Sequence, residues 1–383
     1  MTTPAALPAA FPLVEISGPP QSRGQAYGEQ ARDRIRASAA LYTDSLGLLG
    51  HSRATVLELA AGFAPRIEAW APDLAQEMRG IAEGAGLDYA EIVLINARTE
   101  VLQLGSRRAT QVDTEKDGCT GAAILPAATR NGRLLHGQNW DWKAECAETS
   151  VVVKIRREDG PDLLTFTEAG GLARSGMNSA GLSITGNYLE CDRDYARLGI
   201  PLPLIRRRAL EAAHFSQAIR VVAATPKSGS NNMMLATAEG FAVDLECAPD
   251  EAFALYPDRL GLIVHANHWQ HMAALSKLRE AGLADVPDSL YRDARVRHHL
   301  EATQGKAELA DLKTALFDDF ASPFGVCRPP VAKKLGGNLS ATVAMIVMEP
   351  AAGVMEVAPL PALNRSFTRY ELAIDDAVLA RAA

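Results

Sequence analysis

The chain has 383 residues, 48% hydrophobic and 22% charged, with 46 acidic against 39 basic side chains and a formal net charge of −7. That balance argues against nucleic acid or an anionic membrane as main partner, and no apolar run reaches the ~18 residues that cross a bilayer. Met1 to Leu13 lack a basic start and carry Pro4, Pro8 and Pro12, so no secretory signal is expected and the chain reads as cytoplasmic.

The first hundred-odd residues predict helices. Tyr27, Ala31, Ile35, Ala39 and Tyr42 share one face at helical spacing, Val56, Leu59 and Phe63 give a second stripe, and Leu74, Met78 and Ile81 a third. Gly84-Ala-Gly86 closes that helix, and Asp88 with Glu91 three residues later predicts a capped start for a fourth. From Gln103 to Gly118 periodicity stops, which predicts an exposed connection. Strand signals follow. Thr120–Ala127 and Leu134–Trp142 flank an Asn131-Gly132 turn, predicting a hairpin. Further strands are expected at Val151–Ile155, Leu163–Thr167, Leu182–Thr185, Met233–Ala238, Phe241–Leu245, Leu260–Val264, Thr342–Met348 and Val354–Val357. Helices are expected at Leu204–Ala224, Leu290–Leu300 and Leu309–Phe320. Helices first, then strands around a few helices, predict an α+β fold with layered sheets.

The five cysteines, Cys119, Cys146, Cys191, Cys247 and Cys327, are scattered and form no C-x-x-C pair, so neither a zinc ribbon nor a disulfide framework is expected. Cys119 differs from the others in its setting. It follows Gly118 where the loop meets the first strand, and glycine leaves the preceding carbonyl open to attack by the neighbouring thiolate. An N-to-S acyl shift followed by hydrolysis would make Cys119 a new N-terminus, whose α-amine, with a reference pKa near 8, can take the thiol proton. A buried structural cysteine is the competing reading. The hairpin's second strand ends Gly137-Gln-Asn-Trp-Asp-Trp142, placing Asn139 and Asp141 on one face and Gln138 on the other, with a carboxylate returned beside Cys119.

Cys-Thr, a hairpin and Gly-Gln-Asn-Trp-Asp-Trp resemble the acyl-coenzyme A:6-aminopenicillanic acid acyltransferase family, N-terminal-nucleophile (Ntn) hydrolases related to the bile-salt and penicillin V amidases. Arg23-Gly24 through Gly28-Glu29-Gln30, Ile81 to Gly86, Gly176-Met-Asn-Ser-Ala-Gly181 and Val264-His-Ala-Asn-His268 are similar too. The resemblance implies an αββα sandwich with an N-terminal helical region, made as a precursor and cleaved between Gly118 and Cys119 into fragments 1–118 and 119–383. It implies Cys119 as nucleophile, Asp141 near its freed amine, Asn267 polarising the scissile carbonyl and Asn187 as second oxyanion donor. Relatives often carry an arginine in the late strand region. Here Gly336-Gly-Asn-Leu-Ser-Ala-Thr342 has leucine at that place, and Arg328 lies upstream as a candidate replacement. Gln138 stands where the bile-salt amidases have arginine.

The expected activity is a cysteine amidohydrolase or acyltransferase that cleaves a small N-acylated amine or amino-acid amide through a Cys119 thioester, with hydrolysis favoured over transfer. Its expected partners are that substrate, an acyl-donor thioester in the transfer case, the chain's own cleaved fragment and, as an open question, further copies of itself. No cofactor and no metal are expected. His265, His268 and His271 lack the helical i, i+4 pair of a zinc site, and no glycine-rich phosphate loop follows a strand. Arg206-Arg-Arg208 and the run Arg292, Arg295, Arg297, His298-His299 read as solvated helix faces. Two rivals remain: a papain-like Cys–His hydrolase that needs no cleavage, and a catalytically silent binding protein.

Overall fold

The computed structural model describes residues 8–108, 118–303, 305–331 and 340–382. After strand β1 (Leu13–Ser17) come the helices α1 (Pro20–Gln30), α2 (Arg32–Gly47), α3 (Arg53–Ala61), α4 (Ala64–Trp70), α5 (Pro72–Ala85), α6 (Tyr89–Asn96) and α7 (Arg98–Arg108). The hairpin is β2 (Thr120–Ile124) and β3 (Leu135–Trp142). Then follow α8 (Cys146–Thr149), β4 (Ser150–Arg156), β5 (Leu163–Glu168), β6 (Ser175–Asn178), β7 (Leu182–Thr185), α9 (Leu202–Leu210) and α10 (Phe215–Ala224). Strands β8 (Asn231–Thr237), β9 (Ala242–Cys247), β10 (Ala252–Leu255) and β11 (Leu262–His265) precede α11 (Met272–Lys277), α12 (Ser289–Glu301) and α13 (Leu309–Leu316). The chain closes with β12 (Ala341–Glu349), β13 (Val354–Pro359), β14 (Thr368–Glu371) and α14 (Asp376–Ala382).

The strands form an eight-stranded sheet, ordered β1-β4-β5-β6-β7-β8-β9-β10, and a six-stranded sheet, ordered β11-β2-β3-β12-β13-β14. Alternation along β2 shows how they stack. Ala123 packs with Met234, Ala236 and Ile263 between the sheets, while Ala122 and Ile124 face Val296 and Leu300 of α12 and Leu312 of α13. On the far side of the larger sheet, Leu204 and Ile205 of α9 and Val222 of α10 pack with Met177, Met233 and Leu245. The four layers are the αββα sandwich expected, with α1–α7 set against it.

Local signals explain most boundaries. Asp88 and Glu91 form the capping box at the start of α6, and Gly86, at φ 65°, ends α5. Gly132 takes φ 68° in the turn of the β2–β3 hairpin. Helices α1 and α5 meet backbone to backbone. A Cβ at Gly24 would strike the carbonyl of Glu77, and one at Gly84 the carbonyl of Gln25, which is the physical use of the glycine motifs in both helices.

Several expectations need correction. Helix α7 runs to Arg108, with Gly105 and Ser106 buried, so the connection expected from Gln103 starts later; residues 109–117 lie outside the described residues. The single helix expected over Leu204–Ala224 is two, α9 and α10, and α13 stops at Leu316 rather than Phe320. Strands β1, β6, β10 and β14 were not foreseen. Arg206 and Arg207 are 4% and 1% exposed, and Arg292 is 0% exposed, so these three arginines turn inward, while Arg295, Arg297 and His298 keep partly or fully exposed positions. Among the described residues, no helix is long and apolar enough to cross a membrane.

Candidate active site

Cys119 is wholly buried, immediately before β2. Thr120 pairs with Asn139 across the hairpin, so the register carried on sets Cys119 against Trp140 and Gly118 against Asp141. The two faces of the hairpin lead to different layers. Thr120 Oγ1 accepts from Arg292, and Asn139 Nδ2 donates to the carbonyls of Leu316 and Val326, so this face looks toward α12 and α13. Gln138, Trp140 and Cys119 take the other face, toward the larger sheet. There Gln138 donates to the Gly186 carbonyl and to Asn187 Oδ1, both at 2.6 Å.

A chain of buried charges runs beneath the Gly118–Cys119 bond. Thr342 Oγ1 donates to Asp141 Oδ1 at 2.6 Å, and Arg328 Nε lies 3.3 Å from Asp141 Oδ2. Arg328 is further fixed by its backbone N–H on Thr342 Oγ1 and by Ser340 Oγ, and its Nη2 donates to Asp288 Oδ2. Asp288 Oδ2 also accepts from Arg292 Nε at 2.7 Å. The Arg292 guanidinium then spends its remaining donors on neutral groups. Nη1 donates to the Cys119 carbonyl at 2.7 Å and to Thr120 Oγ1 at 2.8 Å, and Nη2 donates to Asn267 Oδ1 at 2.8 Å. Burial and the neighbouring Arg328 charge lower the Arg292 pKa.

This placement sets the upstream arginine at the Asp141 carboxylate. Leu339 falls within residues 332–339, outside the described residues, while Arg328 sits beside Asp141. It also gives position 118 a second reason to be glycine: a Cβ there would lie 2.5 Å from Arg328 Nη1. Arg292, read from sequence as solvated, is the residue that reasoning missed. Its only signal was Asp288 at i−4, which pairs with it along α12.

Asn187 and Asn267 form a reciprocal clasp between the sheets. Asn187, just beyond β7, donates through Nδ2 to the His265 carbonyl at 2.9 Å, and Asn267, just beyond β11, donates through Nδ2 to the Tyr188 carbonyl at 2.9 Å. Each amide nitrogen carries a second hydrogen. Beneath the clasp, Glu246 binds His265 Nε2 at 2.7 Å and accepts the backbone N–H groups of Gln270 and His271. His136, His265 and His268 are poor candidates for a base at neutral pH. His136 has Ser183 and Thr185 on its two ring nitrogens, and burial pushes its pKa down to about 3. His268, on Ser289 Oγ, is lowered to about 4 by burial and by the charges of His265 and Arg292. For His265 burial is outweighed by Asp244 and Glu246, which raise it to about 9. Among the described residues, no group of three or more His, Cys, Asp or Glu side chains is placed to hold a metal ion.

The sequence model of the acyl-coenzyme A:6-aminopenicillanic acid acyl-transferase family matches residues 127–358, a span that begins after Cys119 and contains Asp141, Asn187, Asn267, Arg292 and Arg328. The 40 kDa form of acyl-coenzyme A:6-aminopenicillanic-acid-acyltransferase from Emericella nidulans is 29% identical over 341 residues, covering 88% of this chain and 89% of that protein. Among solved structures, a conjugated bile acid hydrolase from Clostridium perfringens is 13% identical, over 66% of this chain and 92% of that one, at a TM-score of 0.46. Penicillin V acylase from Agrobacterium tumefaciens is 14% identical, over 66% and 86%, at 0.44. With the family's sequence pattern running through more than half its length, the chain belongs to the acyl-coenzyme A:6-aminopenicillanic acid acyl-transferase family.

Proposed function

We propose that the chain is an autoproteolytically activated cysteine amidohydrolase or acyltransferase acting on a small N-acylated amine or amino-acid amide. The observation that carries this reading is the position of the Gly118–Cys119 bond. It lies over the Asp141–Arg328 pair, and the Cys119 carbonyl is held by Arg292. In maturation the Cys119 thiol attacks the Gly118 carbonyl carbon. The new C–S bond replaces the C–N bond, the nitrogen gains the thiol proton, and water releases the Gly118 carboxylate. Asp141 would then neighbour the new ammonium, while the thiol faces the larger sheet.

In turnover the Cys119 amine takes the thiol proton and sulfur attacks the substrate amide carbon. The second Nδ2 hydrogens of Asn267 and Asn187 supply the oxyanion donors, each worth about 3–4 kcal/mol of transition-state stabilisation. The amine leaves with the ammonium proton, and water, or a second amine, takes the acyl group from the thioester. The clasp suits this role because its carbonyl partners and Arg292 fix both amides before substrate arrives. A papain-like alternative is weakened at His265 and His268, the histidines nearest the clasp, since a base titrating near 9 or near 4 is poorly matched to neutral pH. The test is to mix the protein with a slow N-acyl substrate and weigh the denatured products. An acyl adduct on the fragment that begins at Cys119, absent in Cys119→Ala, supports the reading; turnover retained in Cys119→Ala removes it.

A further inference from the structure

The layer between the two sheets is apolar at Ala123, Met234, Ala236 and Ile263, yet β9 sends two carboxylates into it. Asp244 and Glu246 alternate with Leu245, which packs on the far side of the larger sheet, so both acids share the face of Ala242. Each is 0% exposed. Burying charge there is costly, and well-packed apolar side chains would serve stability as well or better. What the two carboxylates hold is therefore informative.

An ionised carboxylate only accepts hydrogen bonds, so it fixes which end of a neighbouring amide faces it. Asp244 Oδ2 accepts from Asn232 Nδ2 at 2.6 Å. That turns Asn232 Oδ1 the other way, where it accepts the Asn187 N–H at 2.7 Å. Glu246 accepts the N–H groups of Gln270 and His271 at 2.6 Å and 3.1 Å, and His265 Nε2 lies 2.7 Å from its Oε1. It thus closes both ends of the segment that carries Asn267. His265 Nδ1 meets the Ala266 carbonyl at 3.0 Å. Acceptors at both ring nitrogens call for two N–H groups, which makes the ring an imidazolium. Asp244 favours the same form, Asp293 of α12 faces it with a further negative charge, and His268 stacks on it at 6.3 Å. The His265 carbonyl in turn holds Asn187 Nδ2. We propose that Asp244 and Glu246 are positioning residues for the oxyanion donors, Asp244 acting through Asn232 on Asn187, and Glu246 acting through a cationic His265 and the 265–271 segment on Asn267. This rests on the reading of Asn187 and Asn267 as oxyanion donors and adds the groups that aim them.

The experiment is a pair of double-mutant cycles read in kcat, with acetyl-, hexanoyl- and benzoyl-p-nitroanilide as probes and folding checked by circular dichroism. Asp244→Asn and Glu246→Gln, close in shape to the native side chains, should each lower kcat by about tenfold or more, with KM within about twofold. Made beside Asn187→Ala and Asn267→Ala respectively, the same changes should cost less than about threefold, because the group they aim is gone. Glu246→Asp, which keeps the charge, should recover part of the loss. Additive losses in both cycles, with the asparagine variants themselves impaired, overturn the positioning roles and leave the oxyanion reading intact. Asparagine variants as fast as wild type remove the oxyanion reading and this inference with it. One readout needs no turnover. In nitrogen NMR spectra of histidine-labelled protein, with His265→Gln to assign the signal, His265 should carry two protonated nitrogens at about pH 7.5 and become neutral in Glu246→Gln. A neutral His265 ring in wild type overturns the proposal whatever the kinetics.

Discussion

Two buried networks in this protein alternate arginine with carboxylate, and they end differently. One joins the N-terminal helices to α9. Arg23 Nε and Arg207 Nη2 both donate to Glu77 Oε2 at 2.7 Å, Arg207 Nη1 donates to Oε1 at 2.8 Å, and Arg207 Nε continues to Glu211 at 3.0 Å. It runs out toward solvent through Arg208 and Asp73. The other, Asp141–Arg328–Asp288–Arg292, ends on the uncharged Cys119 carbonyl and the Asn267 amide. The first matches charge to charge and fixes two segments against each other. The second brings its positive charge to neutral groups beside the residues proposed to react and to polarise the substrate. The same residue types therefore hold in one place and orient in the other.

The largest expected effect breaks the orienting network. Arg292→Met leaves Asp288 with less compensation and Asn267 Oδ1 without its donor, and should lower kcat by about a hundredfold or more, with a smaller change in KM. Arg292→Lys should recover part of it. Equal kcat in wild type and Arg292→Met would show that this guanidinium does not position the site. Next comes the holding network. Glu77→Gln strands two buried guanidiniums and should cost about 3–5 kcal/mol of stability. Denaturant unfolding measures it, and the folded variant should keep its kcat within about twofold. A stable but inactive variant would contradict the division of labour.

The networks should also separate by pH. The Glu77 pKa is lowered because Arg207 and Arg23 outweigh the opposing effect of burial. Its contribution is therefore full above about pH 4.5 and is lost as pH falls through the lowered value. His265, raised to about 9, contributes fully below about pH 6.5 and loses that contribution as pH rises through about 9. The dependence of melting temperature on pH should flatten on the acid side in Glu77→Gln and on the alkaline side in Glu246→Gln; exchanged effects would refute the assignment. The smallest effect is a control. Arg53 pairs with Glu91 but is 57% exposed in its side chain, so Arg53→Ala should cost less than about 1 kcal/mol. A larger loss would mean that charge pairing, rather than its burial, sets these energies.

Much of the frame was legible because it rests on local chemistry. The Asn131-Gly132 turn, the Asp88–Glu91 cap and the apolar runs of β2, β4 and β12 each announce themselves within a few residues. The placement of Cys119 near Asp141 was legible for the same reason, both lying at one end of a hairpin. What escaped depends on partners far away in the chain. Arg207 is buried because Glu77 meets it from 130 residues away, and Arg292 because Cys119 does from 173. Neither burial leaves a trace in the spacing of α9 or α12, whose arginines look like any solvated face. Strand β6 escaped because Ser175-Gly-Met-Asn178 holds no β-branched residue, whereas the equally short β7 and β11 carry Leu and Ile and were legible.

The central claim is that the chain cuts itself before Cys119, and the direct measurement is the intact mass of purified wild type beside Cys119→Ala. Wild type should resolve into fragments 1–118 and 119–383, which co-purify until denatured, and Cys119→Ala should remain one chain of 40.9 kDa apart from the substitution. A fully active wild type of 40.9 kDa, uncut, would contradict the account.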